Sequence, residues 1–141
     1  MAISNKSGSA MVDALLDALH PSGTNTAVVG TKTIQGPIRV RFMTANGSDT
    51  ANGTELSTGG SYTAGSGVSI DSNWAASSAK TKATNATIQQ TDMPAATIVG
   101  IELWDSTGTP QRIDWGSMTS KTTQAGDTLS FSSAAISVAI T

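Results

Sequence analysis

The residue types that this chain lacks limit its chemistry before any pattern is considered. It has no cysteine, so disulfide bonds, thiolate nucleophiles and cysteine-ligated zinc sites are excluded. Aromatic residues make up only 4% of its 141 residues and charged residues only 13%, against about 25% charged in an ordinary soluble domain. We therefore expect stability to depend on sheet hydrogen bonds, packing of small side chains and contact with other subunits.

Net charge and long apolar runs are equally scarce. The net charge is −2 and the pI is about 5.1. Binding to nucleic acid relies on clustered Lys and Arg that displace phosphate counterions, so we expect no nucleic acid partner. No apolar run approaches the roughly 20 residues of a membrane-spanning helix, and the amino terminus lacks the apolar segment of a secretory signal. We expect a protein that is made in a cytoplasm and has no membrane partner.

One amphipathic helix is predicted near the amino terminus, from about Ser7 to His20. Ser and Asn side chains can cap its first turn, and a Pro-Ser-Gly sequence ends it. Its apolar stripe consists of Met11, Val12, Leu15, Leu16 and Leu19. Asp13 and Asp17 fall on the opposite side. Because a helix of this length is marginal alone in water, we expect the stripe to cover a sheet edge or a neighbouring subunit.

The stretch from residue 93 to residue 115 predicts an antiparallel hairpin around which the rest of the chain is organised. Its first strand carries Val99, Ile101 and Leu103 at a two-residue period, so this face should enter a core. Turn-forming residues follow over 105–110, and a return segment ends at Trp115. The hairpin carries two of the three tryptophans in the chain. It therefore offers the largest aromatic burial available.

Other segments predict a mainly β body over residues 24–141. Residues 38–43 alternate apolar side chains with Arg39 and Arg41, and residues 136–141 alternate to the last residue. Residues 44–67 form a long loop region with Asn-Gly and Gly-Gly turns, and residues 75–86 should be extended and exposed. We predict a single domain, 1–141, with an antiparallel β-sandwich or barrel and one N-terminal amphipathic helix packed against it.

Residues suited to catalysis are few. The sole histidine, His20, is predicted to have a structural role at the helix end. Asp105 and Asp114 flank the hairpin turn, where capping and pairing with Arg112 explain them more simply than acid–base catalysis. No segment has the ligand spacing of a calcium loop or the glycine pattern of a phosphate loop. We predict a non-enzymatic protein without cofactor or metal, and a hydrolase of cell-surface polymers is the least favoured class.

Five segments, in their order along the chain, resemble those of small virion proteins of tailed bacteriophages. They are the helical segment 11–16, the strand end 42–45, the glycine-rich element 59–62, the segment 93–105 and the turn 121–129. The likeness covers most of the chain, and its most specific parts are the hairpin and the later Ala-Gly-Asp turn. The chain departs from the family pattern at Arg39 and Arg41, where family members are more uniformly apolar.

The resemblance implies a structural virion protein made in the host bacterial cytoplasm. Members are described as head decoration, tail-fibre-like or minor tail proteins. Our first expectation is a decoration or cement protein, which binds the major capsid protein or other virion proteins as a homo-oligomer, with a trimer as one arrangement. The alternative is a tail fibre or minor tail protein that contacts the host surface. For that alternative, Tyr62 and Trp74 are the candidate glycan contacts.

Interface candidates follow from residue type. Trp and Arg are enriched where interfaces carry most of their binding energy, which favours Trp115 together with Arg112. Arg39 and Arg41 share one strand face, where their side chains are either solvated or ion-paired, or form a patch for an acidic partner surface. The helix supplies a further candidate through Leu15, Leu16 and Leu19.

Overall fold

The computed structural model describes residues 5–70 and 72–140, within which one helix precedes eleven strands. The elements are α1 (Asn5–Leu19), β1 (Thr26–Val29), β2 (Lys32–Gln35), β3 (Arg39–Ala45), β4 (Thr54–Glu55), β5 (Val68–Ser69), β6 (Thr81–Ala83), β7 (Ile88–Met93), β8 (Ala96–Trp104), β9 (Arg112–Thr123), β10 (Asp127–Phe131) and β11 (Ser137–Ala139). The named strands pair in an antiparallel sense. The prediction of a mainly β, sandwich-like fold with one short N-terminal helix is confirmed.

The largest sheet has five strands, in the order β4, β3, β8, β9, with β5 also paired to β3. The predicted hairpin forms its centre, since β8 pairs with β9 and Leu103 lies opposite Asp114. Strand β3 lies on the other side of β8, with Phe42 opposite Ile101. Three two-stranded pairs, β1–β2, β7–β10 and β6–β11, accompany this sheet. One face of the sheet, which carries Val40, Phe42 and Leu103, is directed toward the core, and the other face is directed away from it.

The core is an apolar cluster built from the inner face of the five-stranded sheet and from the smaller strand pairs. Phe42 lies at its centre, with ring centroids 5.3 Å from Tyr62 and 6.0 Å from Phe131. The other buried members are Ile34, Ile38, Val40, Leu56, Ile70, Trp74, Ile88, Met93, Ile98, Leu103, Leu129 and Ile136. Alternation in the sequence predicted Ile38, Val40, Phe42 and Ile136 as inward-facing residues. The structure confirms this prediction.

Strand β8 does not keep the alternation expected from Val99. Ile98 is completely buried, whereas Val99 is only half-buried. A register irregularity between β8 and β9 separates Ile98 from Gly100, and the core-facing side of the strand changes across it. Leu103 is buried and Ile101 packs against the core, as predicted. The assignment of Val99 was wrong because a regular two-residue period cannot anticipate a bulge.

Residues 75–86 are only in part the exposed extended stretch that their small polar side chains suggested. Strand β6 pairs with β11, and Lys82 and Thr84 are buried at 4% and 1% exposure. The turn before β6 places Ala79 and Lys80 at positive φ, a conformation that L-residues rarely adopt. Pairing with the C-terminal strand and contact with the helix account for this burial. Neither is visible in local composition.

Helix α1 lies with its acidic side toward the body of the protein. Asp13 Oδ1 accepts a hydrogen bond from the Lys80 backbone N–H at 2.8 Å, and Asp17 Oδ1 accepts one from Lys82 Nζ at 2.5 Å. Leu16 is fully buried, but Met11 and Leu15 are exposed at 74% and 39%. The apolar stripe is therefore split between the protein and the surface. Within the described residues, no helix has the length and apolarity to span a membrane.

Candidate interaction surface

The outer face of the five-stranded sheet is organised by a buried carboxylate, that of Glu102. This side chain is 1% exposed although it lies on the face away from the apolar core. Its Oε1 atom accepts hydrogen bonds from the Gly53 N–H at 2.7 Å and from Arg112 Nη1 at 3.0 Å. Its Oε2 atom accepts one from Trp104 Nε1 at 3.0 Å. Glu102 is thus buried with its charge paired and both oxygens hydrogen-bonded, as a buried carboxylate requires.

The Arg112 guanidinium joins this carboxylate to the loop that covers it, residues 46–53. Nη1 also donates to the Ala51 carbonyl at 2.8 Å, and Nη2 donates to the Ser48 carbonyl at 2.5 Å. The loop closes between the same two residues, because the Ser48 N–H donates to the Ala51 carbonyl at 2.8 Å. A planar guanidinium with several fixed donors suits this task better than a lysine would. Arg112 therefore fixes the loop from beneath.

The loop approaches the sheet closely because glycine occupies the points of contact. A Cβ atom at Gly100 of β8 would collide with Asn46 Oδ1 and would lie 2.8 Å from the Gly116 carbonyl oxygen. A Cβ atom at Gly47 would lie 2.7 Å from both Arg112 Nη1 and Glu102 Oε1. Real Cβ atoms do not tolerate such contacts. The loop can seat on Glu102 and Arg112 only while these positions lack side chains.

Trp115 is held in place by this loop and remains at the surface. Its Nε1–H donates to Asp49 Oδ1 at 3.0 Å, and 40% of the residue is exposed. The donor is satisfied and the ring is oriented, while much of the apolar surface faces outward. An aromatic ring fixed in this way loses little conformational freedom when a partner covers it. The geometry leaves Trp115 both oriented and exposed, which makes it the candidate contact residue of this face.

An apolar cleft lies between β9 and the C-terminal strand, on the inner side of β9. Trp115 is among its lining residues, although its side chain lies opposite Glu102 and so projects from the outer side of the same strand. Its volume is about 180 Å³, and its walls include Ile101, Leu103, Gly116, Met118, Ile136 and Val138. A Cβ atom at Gly116 would meet nothing within 4 Å, so the cleft is open at that point. Among the described strands, β9 pairs only with β8, which leaves its far edge unpaired. We call Trp115, Asp49 and this cleft the Trp115 surface.

Of the alternatives for Arg39 and Arg41, ion pairing holds for Arg41, and neither side chain is fully solvated. Arg41 is 8% exposed, stacks over the Trp104 ring at 4.1 Å and has Nη1 3.6 Å from Glu55 Oε2. Arg39 is half-buried, and its Nε donates to Ser106 Oγ at 3.1 Å. Both arginines therefore contact groups of their own chain. The strand pattern gave their face correctly, but it could not predict that loops and Trp104 would cover that face.

Tyr62 and Trp74 are core residues and do not offer an exposed aromatic face for a glycan. Tyr62 is 1% exposed, and its hydroxyl donates to Glu55 Oε1 at 2.7 Å. Burial, reinforced by this carboxylate, raises the pKa of the Tyr62 phenol well above its usual value. Trp74 is 4% exposed and packs 5.2 Å from the His20 ring. The chain has few aromatic residues, and the core uses both Tyr62 and Trp74.

His20 connects the end of the helix to strand β9. It is fully buried, and its two ring nitrogens lie 3.0 Å from the Leu16 carbonyl oxygen and 2.6 Å from Asp114 Oδ2. We expected Asp114 to pair with Arg112, but it pairs with His20. Asp105 does cap its turn, since Oδ1 accepts the Gln111 N–H at 2.7 Å. Over residues 5–70 and 72–140, no group of three His, Asp or Glu side chains is placed to hold a metal ion.

Of the two interface candidates from the hairpin, Trp115 is at the surface, but the Arg112 side chain is only 12% exposed and its donors are used within the chain. Sequence reasoning also missed the residues that position both. Glu102 was overlooked because a lone glutamate in an apolar strand looks like an outward-facing residue. Two signals could have identified it: its place directly between Ile101 and Leu103, and the Asn-Gly dipeptides that mark a closely turning loop. Of the helix candidates, Leu15 is at the surface and Leu16 is buried, while Leu19 packs against the core.

The chain was compared with models of protein families, with curated proteins and with solved structures. None of them matches it.

Proposed function

We propose that this chain is a non-enzymatic structural protein that acts by binding a larger assembly through the Trp115 surface. The observation that carries this proposal is an indole that is 40% exposed yet held by Asp49, on an edge strand whose other side borders an apolar cleft. A fixed tryptophan next to an unfilled apolar recess is the arrangement found where interfaces concentrate their binding energy. A partner that covers this surface gains apolar burial at a small cost in side-chain ordering.

Within that class, we propose a decoration or cement protein of a tailed-phage head, located on the virion. This step rests on the resemblance of five segments, taken in their order along the chain, to segments of small virion proteins. Many copies bound to an assembled shell, as single subunits or as a homo-oligomer, would stabilise the bound state over the disrupted one by mass action. The major capsid protein is the partner that this role requires.

The contact is tested by binding Trp115→Ala protein to purified heads that have been stripped of the wild-type chain. We expect occupancy, measured on stained gels against the major capsid band, to fall at least about tenfold, the loss typical of a hot-spot residue. Val28→Ala is the matched control, because Val28 is 67% exposed and lies on the β1–β2 hairpin. Equal occupancy for the two variants would overturn the assignment of Trp115.

The virion role is tested separately by copy number and heat resistance. A copy number close to that of the major capsid protein supports decoration, whereas a handful of copies per particle supports the tail alternative. Absence of the chain from purified particles would overturn both. Stripped heads that rupture at the same temperature as complete heads would overturn cementing.

A further inference from the structure

The loop that covers the outer face contains two Asn-Gly dipeptides, Asn46–Gly47 and Asn52–Gly53. In such a pair the backbone nitrogen of the glycine can attack the side-chain amide carbon of the asparagine, because glycine has no side chain to obstruct the approach. The product is a five-membered imide. Both dipeptides belong to the same loop, so any difference between them must come from their surroundings.

The surroundings of the two dipeptides differ at the attacking nitrogen. The Gly53 N–H donates to Glu102 Oε1 at 2.7 Å, within the reach that proton transfer to a general base requires. Among the described hydrogen bonds, none places a carboxylate on the Gly47 N–H. Glu102 is also 1% exposed and hydrogen-bonded at both oxygens, so its position relative to Gly53 is fixed.

The two asparagine side chains differ as well. Asn46 Oδ1 lies directly over Gly100, where even one added carbon atom would collide with it. Asn46 and Asn52 are both exposed, and neither side chain has a hydrogen-bond partner among residues 5–70 and 72–140. What distinguishes Asn46 is this close packing of its amide oxygen against the sheet at Gly100.

We propose that Asn52 is a self-modification site at which Glu102 acts as general base. As the Gly53 nitrogen forms a bond to Asn52 Cγ, its proton passes to Glu102. The C–N bond of the side-chain amide then breaks, and ammonia leaves after taking up that proton. Water opens the imide and yields aspartate or isoaspartate at position 52. No oxidant, metal or partner is consumed, and the step is independent of any assembly role.

The modification changes the loop in two ways. The imide nitrogen has no hydrogen, so the Gly53 bond to Glu102 is lost until water opens the ring. The new carboxylate then changes the net charge of the chain from −2 to −3. The loop that orients Trp115 through Asp49 thereby gains a negative charge close to Glu102.

The experiment follows amide-to-acid conversion at each asparagine by peptide mass spectrometry during incubation of the folded protein in mildly alkaline buffer. We expect Asn52 to convert at least about tenfold faster than Asn46, a modest part of the effect of a positioned general base. Glu102→Gln should slow conversion at Asn52 and leave Asn46 unchanged, because glutamine accepts the same hydrogen bond but takes up no proton. Equal rates at the two sites, or an undiminished rate at Asn52 in the variant, would overturn the proposal.

A second measurement keeps the proposal testable if the variant folds poorly. In concentrated urea the wild-type chain no longer holds Gly53 against Glu102, and the two Asn-Gly pairs become nearly equivalent. We expect the preference for Asn52 to disappear there. A preference that persists in urea would assign it to local sequence and contradict the role of Glu102.

Discussion

Both faces of the five-stranded sheet contain buried side chains, but they are buried by different means. The inner face is covered by apolar side chains, with Phe42 between Tyr62 and Phe131. The outer face is covered by a loop, which is held through Glu102 and Arg112. Burial on the inner side needs only shape and hydrophobicity. On the outer side it needs paired charges, satisfied backbone groups and glycine at the points of close approach.

This comparison predicts different sensitivities to mutation. An apolar core loses stability in proportion to the volume removed, and neighbouring side chains relax in part. A buried ion pair contributes little over an apolar replacement of the same shape, but the loss of one partner leaves an uncompensated charge. The outer face should therefore tolerate few single changes, although it contains fewer apolar contacts.

The largest effect is expected on the inner face, from Phe42→Ala. Phe42 is completely buried, and removal of its ring should lower the free energy of unfolding by about 3–5 kcal/mol. Urea unfolding followed by circular dichroism measures this loss. Ordinary point mutants lose about 1 kcal/mol of stability on average. A loss below that value would mean that the apolar cluster is not the main source of stability.

The outer face is tested by Arg112→Ala. This variant leaves Glu102 unpaired at 1% exposure and releases the Ser48 and Ala51 carbonyls, so we expect a loss of about 3 kcal/mol. Lys121→Ala is the control, because Lys121 lies exposed on the same strand and should change stability by at most about 0.5 kcal/mol. If the two variants behave alike, the outer face is a solvated surface and the comparison fails.

A smaller effect separates two glycines of the same sheet. Gly100→Ala must displace Asn46 and should cost about 1–3 kcal/mol, as overpacking of a close contact does. At Gly116 an added methyl group meets open space, so Gly116→Ala should change stability by no more than about 0.5 kcal/mol. Thermal unfolding of the two variants measures the difference. Equal costs would show that the loop does not depend on close approach at Gly100.

The smallest effect concerns an ion pair near the surface, Asp17 with Lys82. Burial acts to raise the pKa of the Asp17 carboxyl, but hydrogen bonds from Lys82 and Ser77 outweigh it, and the pKa lies below its ordinary value of 3.8. A carboxyl with a lowered folded-state pKa stabilises the fold above its unfolded pKa, and this contribution is lost as the pH falls through the folded pKa.

Wild-type protein should therefore lose its small advantage over Asp17→Asn as the pH is lowered from neutral to below 3.8. Urea unfolding at several pH values measures the gap, and Asp127→Asn is the exposed control. Because 47% of the Asp17 side chain is exposed, solvent screens the pair and the gap should be far smaller than the effect of Arg112→Ala. A gap that does not change with pH would contradict the role of this carboxylate.

The sequence was informative where burial follows a regular period. Alternation placed Ile38, Val40 and Phe42 in the core, and turn-forming residues located the β8–β9 hairpin. The period failed at Val99, because an irregularity in pairing changes which side chains face inward. It also failed on the helix, where Asp13 and Asp17 contact residues that lie 60 to 67 positions away in the chain.

The candidate surface was only partly predictable, for a related reason. Tryptophan and arginine stand out by type, so the sequence alone singled out Trp115 and Arg112, but only Trp115 proves to be exposed, whereas Arg112 is used within the chain. The groups that hold them come from distant positions: Glu102 lies 10 residues from Arg112, and Asp49 lies 66 residues from Trp115. A single sequence has no local signal for such pairings. Residue type was misleading for Tyr62 and Trp74. It suggested a glycan contact, but both rings lie in the core.

The unequal settings of the three indoles give the protein an internal optical probe. Trp74 is enclosed beside His20 and Trp104 lies under Arg41, whereas Trp115 presents 40% of its surface to solvent. A collisional quencher such as acrylamide should therefore quench the fluorescence of Trp115 first and that of Trp74 and Trp104 less. Steady-state fluorescence can then distinguish detachment of the 46–53 loop from melting of the interior, without any attached dye.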